Sequence, residues 1–177
     1  MKITITLLII MTLLIIMLTY SFAYAGNFNP ASIASSKEEA LKAFKSAGYS
    51  LKGDELYRKG SGETGAGFWE AIIFIEGTEG RISHLGRGEY ILPHQHNQTE
   101  HFEVTHGECD FWMFNTQENL WKHWLVQKGQ SLEVPANTVH CLVASDQAGL
   151  TMHILRNDTD RTTEFTDDNG SPFQIGL

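Results

Sequence analysis

Basic residues are scarce in this 177-residue chain: 13 Lys and Arg stand against 21 Asp and Glu, a formal net charge of −8, with no basic block anywhere. That balance repels phosphate backbones and excludes nucleic acid as a partner. Proline is scarce too, with four residues, while 42% of the chain is hydrophobic. The length suits one well-buried core and is short for two domains. Internal repeats and low-complexity tracts are lacking. After Gly48 no stretch keeps a helical period over a full helix length, which removes the crossover helices that a parallel sheet requires.

Cysteine is nearly absent, with Cys109 and Cys141 alone. Neither lies near the apolar N-terminal run, so lipid attachment there is not suggested. In residues 1–25 Lys2 supplies the positive charge, an almost unbroken apolar stretch follows, and Ala23-Tyr24-Ala25 closes it. That is the pattern of a secretory signal peptide cut before Gly26. The rival reading is an uncleaved anchor, since the run approaches the ~20 residues that span a bilayer. Cleavage predicts an exported protein, periplasmic or secreted, with no membrane attachment afterwards. Export implies an oxidising compartment, where two cysteines form either a disulfide or a pair of small buried thiols.

What is present divides into a leader with one helix (26–60) and a β domain (61–177). Ser36-Lys37-Glu38-Glu39 matches a capping box, Ala40, Leu41, Phe44 and Ala47 follow at helical spacing, and Gly48 fits the left-handed residue that ends a helix. The spacing predicts a helix from about Ser36 to Ala47, closing one end of the domain. From Phe68 onward, nine short runs rich in β-branched and aromatic residues alternate with turn signals: FWEAIIFI, GRISHLG, EYILPHQH, HFEVTH, CDFWMF, LWKHWLV, SLEVP, VHCLVA and LTMHILR. So many short strands without crossover helices predict an all-β antiparallel sandwich or barrel. The acidic segment Asp158 to Asp168 reads as a solvated terminus.

The chemistry concentrates in Gly88–Gly107, GEYILPHQHNQTEHFEVTHG. His94 and His96 are two apart, so on a strand they share a face. Glu100 follows a polar turn and can approach from the next strand, and His140 lies in a second segment ending PANTVH. Three imidazoles and one carboxylate suit a divalent transition metal. Alternation then predicts Tyr90, Leu92, Phe102, Val104 and Leu142 facing inward, an apolar lining around a polar focus, with His101, Glu103 and Cys141 facing out. His84, His101, His106, His123 and His153 lack such a frame and read as surface or rim residues. Trp112, Phe114, Trp121 and Trp124 read as packing and cross-strand pairs.

These residues resemble the cupins. The first cupin motif, G(X)5HXH(X)3-4E(X)6G, is met at Gly88, His94, His96, Glu100 and Gly107. The second, G(X)5PXG(X)2H(X)3N, reads Gly129, Pro135, Asn137 and His140, with Ala144 where Asn is usual. Asn137 stands in for a turn glycine and is the non-Gly residue that best tolerates left-handed angles. Over roughly Phe68 to Arg156 the resemblance implies a jelly-roll β-barrel and a metal held by His94, His96, Glu100 and His140; it does not cover the leader or the one short N-terminal helix. It also implies neighbouring strands for Cys109 and Cys141, hence a bridge after export, and pairing into a homodimer through the sheets.

Fe or Mn suits such a site best, with Zn, Ni and Cu as alternatives. By the same resemblance, the expected activity is that of an oxygen-using enzyme, a dioxygenase or oxidase on a small organic substrate. The other readings are a non-redox isomerase, lyase or decarboxylase using the ion as a Lewis acid, and a non-catalytic small-molecule-binding barrel.

Overall fold

A computed structural model of the chain describes residues 34–59, 67–75, 77–155 and 162–165. All of these fall within the unit Ala31–Leu177. The expected signal peptide, residues 1–25, lies outside the described residues. Among the described residues no helix is long and apolar enough to cross a membrane.

The helix is present as α1, Lys37–Ser46. The Ser36 hydroxyl accepts from the Glu39 amide at 3.1 Å, satisfying one of the amides that a helix start leaves unpaired. At the other end Tyr49 N–H donates to Phe44 O and Gly48 N–H to Lys45 O. Gly48 takes φ +95° there, the left-handed turn that glycine adopts without a side-chain clash. Ala40 and Phe44 are fully buried and pack with Leu56, Ala71, Ile73 and Ile82. Because Ala71, Ile73 and Ile82 belong to the outer face of a sheet, α1 covers that face instead of closing an end of the domain.

Among the described residues ten strands follow: β1 (Tyr57–Lys59), β2 (Phe68–Ile75), β3 (Thr78–Leu85), β4 (Tyr90–His96), β5 (Glu100–Asn115), β6 (Leu120–Gln127), β7 (Ser131–Val134), β8 (His140–Ala144), β9 (Leu150–Leu155) and β10 (Thr163–Phe165). Every pairing is antiparallel. One leaf runs β1-β2-β3-β9-β5-β7. The other runs β6-β5-β8-β4-β10. Among the described residues the result is the all-β jelly-roll barrel with one short helix before it that the strand pattern, the capping box and the motifs implied.

The leaves share β5, and the sequence reading misses this. HFEVTH and CDFWMF are one 16-residue strand. Glu100, Phe102 and Val104 are buried before a register shift between Val104 and His106, and Cys109 and Phe111 are buried after it. The inward parity thus passes from even to odd residues, as one extra residue in a bulge requires. Gly107, at φ +73°, sits where the strand leaves β9 for β8.

Two short strands went unread. β1 falls in the segment assigned to the leader and helix. β10 falls inside the acidic tail assigned to solvent, and it pairs Thr163, Glu164 and Phe165 with His96, Gln95 and His94. The tail segment therefore contributes an outer neighbour to the strand that carries two candidate metal ligands.

The interior cluster includes Phe102, Val104, Phe111, Val126, Leu142, Leu150, Met152 and Ile154. A separate polar knot pins the chain ahead of α1. Glu89, fully buried, accepts from Ser35 N–H, the Ser35 hydroxyl, Gly86 N–H and, at 2.6 Å, Arg58. Four donors, one of them a guanidinium, offset the loss of hydration at a buried carboxylate. The knot fixes the Gly86–Glu89 turn from which β4 begins.

The cysteines do not form the bridge that the resemblance implied. Both are buried, and no disulfide joins them. Cys109 lies opposite Ala144 and Cys141 opposite Trp112, so their positions are three apart along the pair and on opposite faces of the sheet. Thiol titration of denatured, unreduced protein is expected to give two thiols, and a single disulfide would overturn the register. In the native state Cys109 is expected to react slowly. Burial, with Asp110 and Glu108 adding to it, pushes its thiol up to about 12, and the thiolate is the reactive form.

Candidate metal centre

Strand β4 brings the two clustered histidines to the interior by an irregular route. Ile91 lies opposite Leu142 and His94 opposite His140. Three steps on β4 therefore match two on β8, a bulge at Leu92-Pro93, where proline has no N–H to give the ladder. The bulge turns both Ile91 and His94 inward. Tyr90, expected to line the site with Leu92, instead lies opposite Val143 on the other face, and Ile91 takes the interior place. Phe102 and Leu142 are in the interior cluster.

His140 begins β8 directly after the turn that the motif required. Asn137 there has φ +58°, and its N–H donates to His96 O at 2.6 Å. The turn carrying one histidine is thus tied to the strand carrying the others. His94 Nδ1 lies 2.7 Å from Leu92 O and His140 Nδ1 lies 2.9 Å from Thr138 O. A carbonyl can only accept, so both rings carry their proton on Nδ1 and present Nε2 as a donor atom.

His94, His96 and His140 are all buried, and one ring nitrogen of each lies within 4.8 Å of the others. The ring centroids are 4.2 Å apart for His94 and His140, 4.8 Å for His94 and His96, and 5.3 Å for His96 and His140. The carboxylate of Glu100, buried at the start of β5, lies 3.4 Å from His96 Nε2. Phe111 stacks beside His140 at 5.9 Å, and Phe102 packs on Phe111 at 5.0 Å. Three imidazole nitrogens converging in an apolar interior, two with their tautomers set by backbone carbonyls, form a donor set that could hold a divalent transition metal.

The other histidines separate into two groups. His101, His106 and His123 are exposed, His123 pairing with Asp110 at 2.7 Å. His84 and His153 are buried instead of lying at the rim. Both sit on the outer face of the β3–β9 pair, beneath and beside α1. His84 Nδ1 meets the Thr151 hydroxyl at 2.9 Å, its Nε2 lies 3.7 Å from Glu39, and Phe44 abuts its ring edge-on. The ring of His153 is 6.2 Å from that of Tyr49. The missed signal was register: LTMHILR lies beneath the helix, so its outer face is covered as well.

Burial holds both imidazoles below the usual histidine value. At His84 the carboxylates of Glu39 and Glu89 oppose that shift and His106 adds to it, while at His153 Glu103 opposes it. The folded state therefore binds these protons less readily than the unfolded chain. The stability they confer is full above the unfolded histidine pKa of about 6.5 and is lost as the pH falls below it. Urea denaturation of metal-free protein is expected to show a lower midpoint at pH 5 than at pH 7.5, with a flatter profile for the His84→Asn, His153→Asn double variant. A double variant as acid-sensitive as the wild type would contradict this.

No protein-family model matches the chain, and no curated protein sequence matches it. Among solved structures, a 7S globulin from Momordica charantia superposes over 68% of this chain and 38% of its own, with a TM-score of 0.51 and 14% identity. The chain has the cupin fold. A cupin-like protein from Thermotoga maritima matches over 59% of this chain and 82% of its own, at a TM-score of 0.46 and 18% identity. An oxalate oxidase in complex with the substrate analogue glycolate matches over 50% and 45%, at 0.46 and 19%. The chain spans well under half the length of the 7S globulin.

Proposed function

We propose that this cupin is an exported, metal-dependent enzyme that carries out oxygen-using chemistry, as an oxidase or dioxygenase, on a small organic substrate. The observation that carries the reading is the convergence of His94, His96 and His140 in an apolar interior, with the Glu100 carboxylate beside His96. His94, His96 and His140 would hold the ion, and Glu100 would supply a fourth, anionic donor. A divalent ion there supplies Lewis acidity and, where it is Fe or Mn, the redox capacity that oxygen chemistry needs. Phe102, Phe111 and Leu142 limit water around the imidazoles. The Leu92 and Thr138 carbonyls keep the Nδ1 protons of His94 and His140 in place, so neither ring must turn when a ligand binds.

The test is oxygen consumption by Fe- or Mn-loaded protein across a panel of phenolic, enolisable and dicarboxylic acids. Consumption that requires both metal and substrate supports the reading, and none across the panel counts against it. Turnover under argon with Zn would transfer the activity to Lewis-acid chemistry, as an isomerase, lyase or decarboxylase. A second reading, a non-catalytic binding barrel, is favoured by the fold likeness to the 7S globulin, since a fold by itself carries no reaction. It predicts ligand-induced thermal shifts without turnover.

A further inference from the structure

The open side of the candidate site can be read from three rows of directly opposed residues that cross β8, β5 and β6. They are Ala144–Cys109–Val126, Leu142–Phe111–Trp124 and His140–Met113–Lys122. Opposed residues share a face, and Cys109, Phe111, Val126 and Leu142 all belong to the interior cluster, so every row faces inward. Burial falls from row to row. The first is closed throughout, the second opens at Trp124, which is 36% exposed, and the third opens at Lys122, whose side chain is 43% exposed. Among the described residues the interior face is thus closed in the first row and exposed at its β6 end in the other two, where a tryptophan and an ammonium stand.

The geometry points to Lys122 and Trp124 as the substrate-selecting pair of the site, recognising a small aromatic carboxylate whose far end carries an oxygen donor directed at the histidines. This rests on the proposed metal centre and adds the substrate class to it. His140 and Lys122 are separated by Met113 alone, two strand spacings or roughly 10 Å between backbones. One ring substituted at opposite ends fits that interval. Phe111 and Met113 form the floor and Trp124 the side wall, surfaces that suit a flat apolar body.

Lys122 is occupied at rest by Glu118 at 2.9 Å, an exposed pair four residues apart at the hairpin tip. Such a pair is weak and is readily exchanged for a ligand carboxylate. Arg81 also faces the interior, but its guanidinium is engaged by Glu70 at 3.6 Å and Glu79 at 2.9 Å.

The experiment compares 4-hydroxybenzoate with its neutral amide, 4-hydroxybenzamide, which has nearly the same shape. Binding is measured by calorimetry on Zn-loaded protein, so that no turnover intervenes, with metal content determined on the same samples. Wild type is expected to prefer the carboxylate about fivefold at low salt, and less at high salt. Lys122→Glu should abolish or invert that preference with metal content unchanged, and Lys122→Arg should restore it. Trp124→Ala should weaken both ligands together.

A metal-loaded Lys122→Glu protein that keeps the wild-type preference overturns the inference and leaves the metal centre standing. Wild-type protein that takes up no metal overturns both. A wild type that binds metal yet does not discriminate between the two ligands overturns the inference alone.

Discussion

Replacing His140 with alanine is expected to remove the metal: affinity should fall by more than roughly 100-fold, beyond the 10- to 100-fold that loss of an orienting partner costs a metal ligand. The reason is geometric. His140 stands directly opposite His94, so its loss leaves two nitrogens from a single strand, both on one side of the site. The fold should survive, because the change removes a polar ring at a strand end and leaves the neighbouring cluster of Phe102, Phe111 and Leu142 in place. Chelator competition measures the affinity. Thermal denaturation with and without added metal reports the same event, since a ligand at 100 times its dissociation constant stabilises by about 2.7 kcal/mol and a non-binding variant gains nothing. Glu100→Gln should weaken binding less, because three nitrogens still converge without the carboxylate. Equal metal content in His140→Ala and wild type would mean that the ion, if one binds, sits elsewhere.

How much of this site was legible in the residues depended on distance along the chain. His94 and His96 were readable because a two-residue step on a strand keeps one face, and Asn137 because a left-handed turn narrows the choice to a few residue types. Phe102 and Val104 followed from simple alternation counted from Glu100.

The failures all lie where alternation breaks or where a partner is remote. A bulge at Leu92-Pro93 exchanged Tyr90 for Ile91 in the lining, and Pro93 was the one local signal. The pairing of Thr163–Phe165 with β4 joins residues nearly seventy positions apart, and a three-residue strand is too short for a periodic pattern. His84 and His153 looked like surface residues because their cover, α1, is far away in sequence. The Lys122–Met113–His140 row was likewise unreadable, since it needs two registers at once.

The largest stability effect is expected at Gly107, which the motif marked as a fixed glycine without saying why. A Cβ added there would lie 2.0 Å from the carbonyl oxygen of Gly149 and 3.0 Å from its carbon. Both are backbone atoms, so no side chain can swing aside. Gly149 cannot retreat easily, because a Cβ of its own would meet Leu85 O at 2.7 Å. Gly107 also holds φ +73°, which a residue with a side chain occupies at a cost of order 1–3 kcal/mol, and forcing extra volume into packed structure adds typically 1–3 kcal/mol.

Gly107→Ala should therefore lose roughly 2–6 kcal/mol, a large share of the 5–15 kcal/mol that holds a domain folded. Gly129→Ala is the control, since Gly129 has φ +82° with nothing within 4 Å of the added Cβ, and it should lose the backbone part alone. Urea denaturation of both variants separates strain from collision. The difference between them is the contribution of the close crossing at which β5 leaves one leaf for the other, and similar losses in the two variants would show that the crossing is not tightly packed. Because β5 carries Glu100 at one end and the Phe111 and Met113 floor at the other, a loosened crossing should also lower metal affinity in Gly107→Ala while leaving Gly129→Ala unaffected.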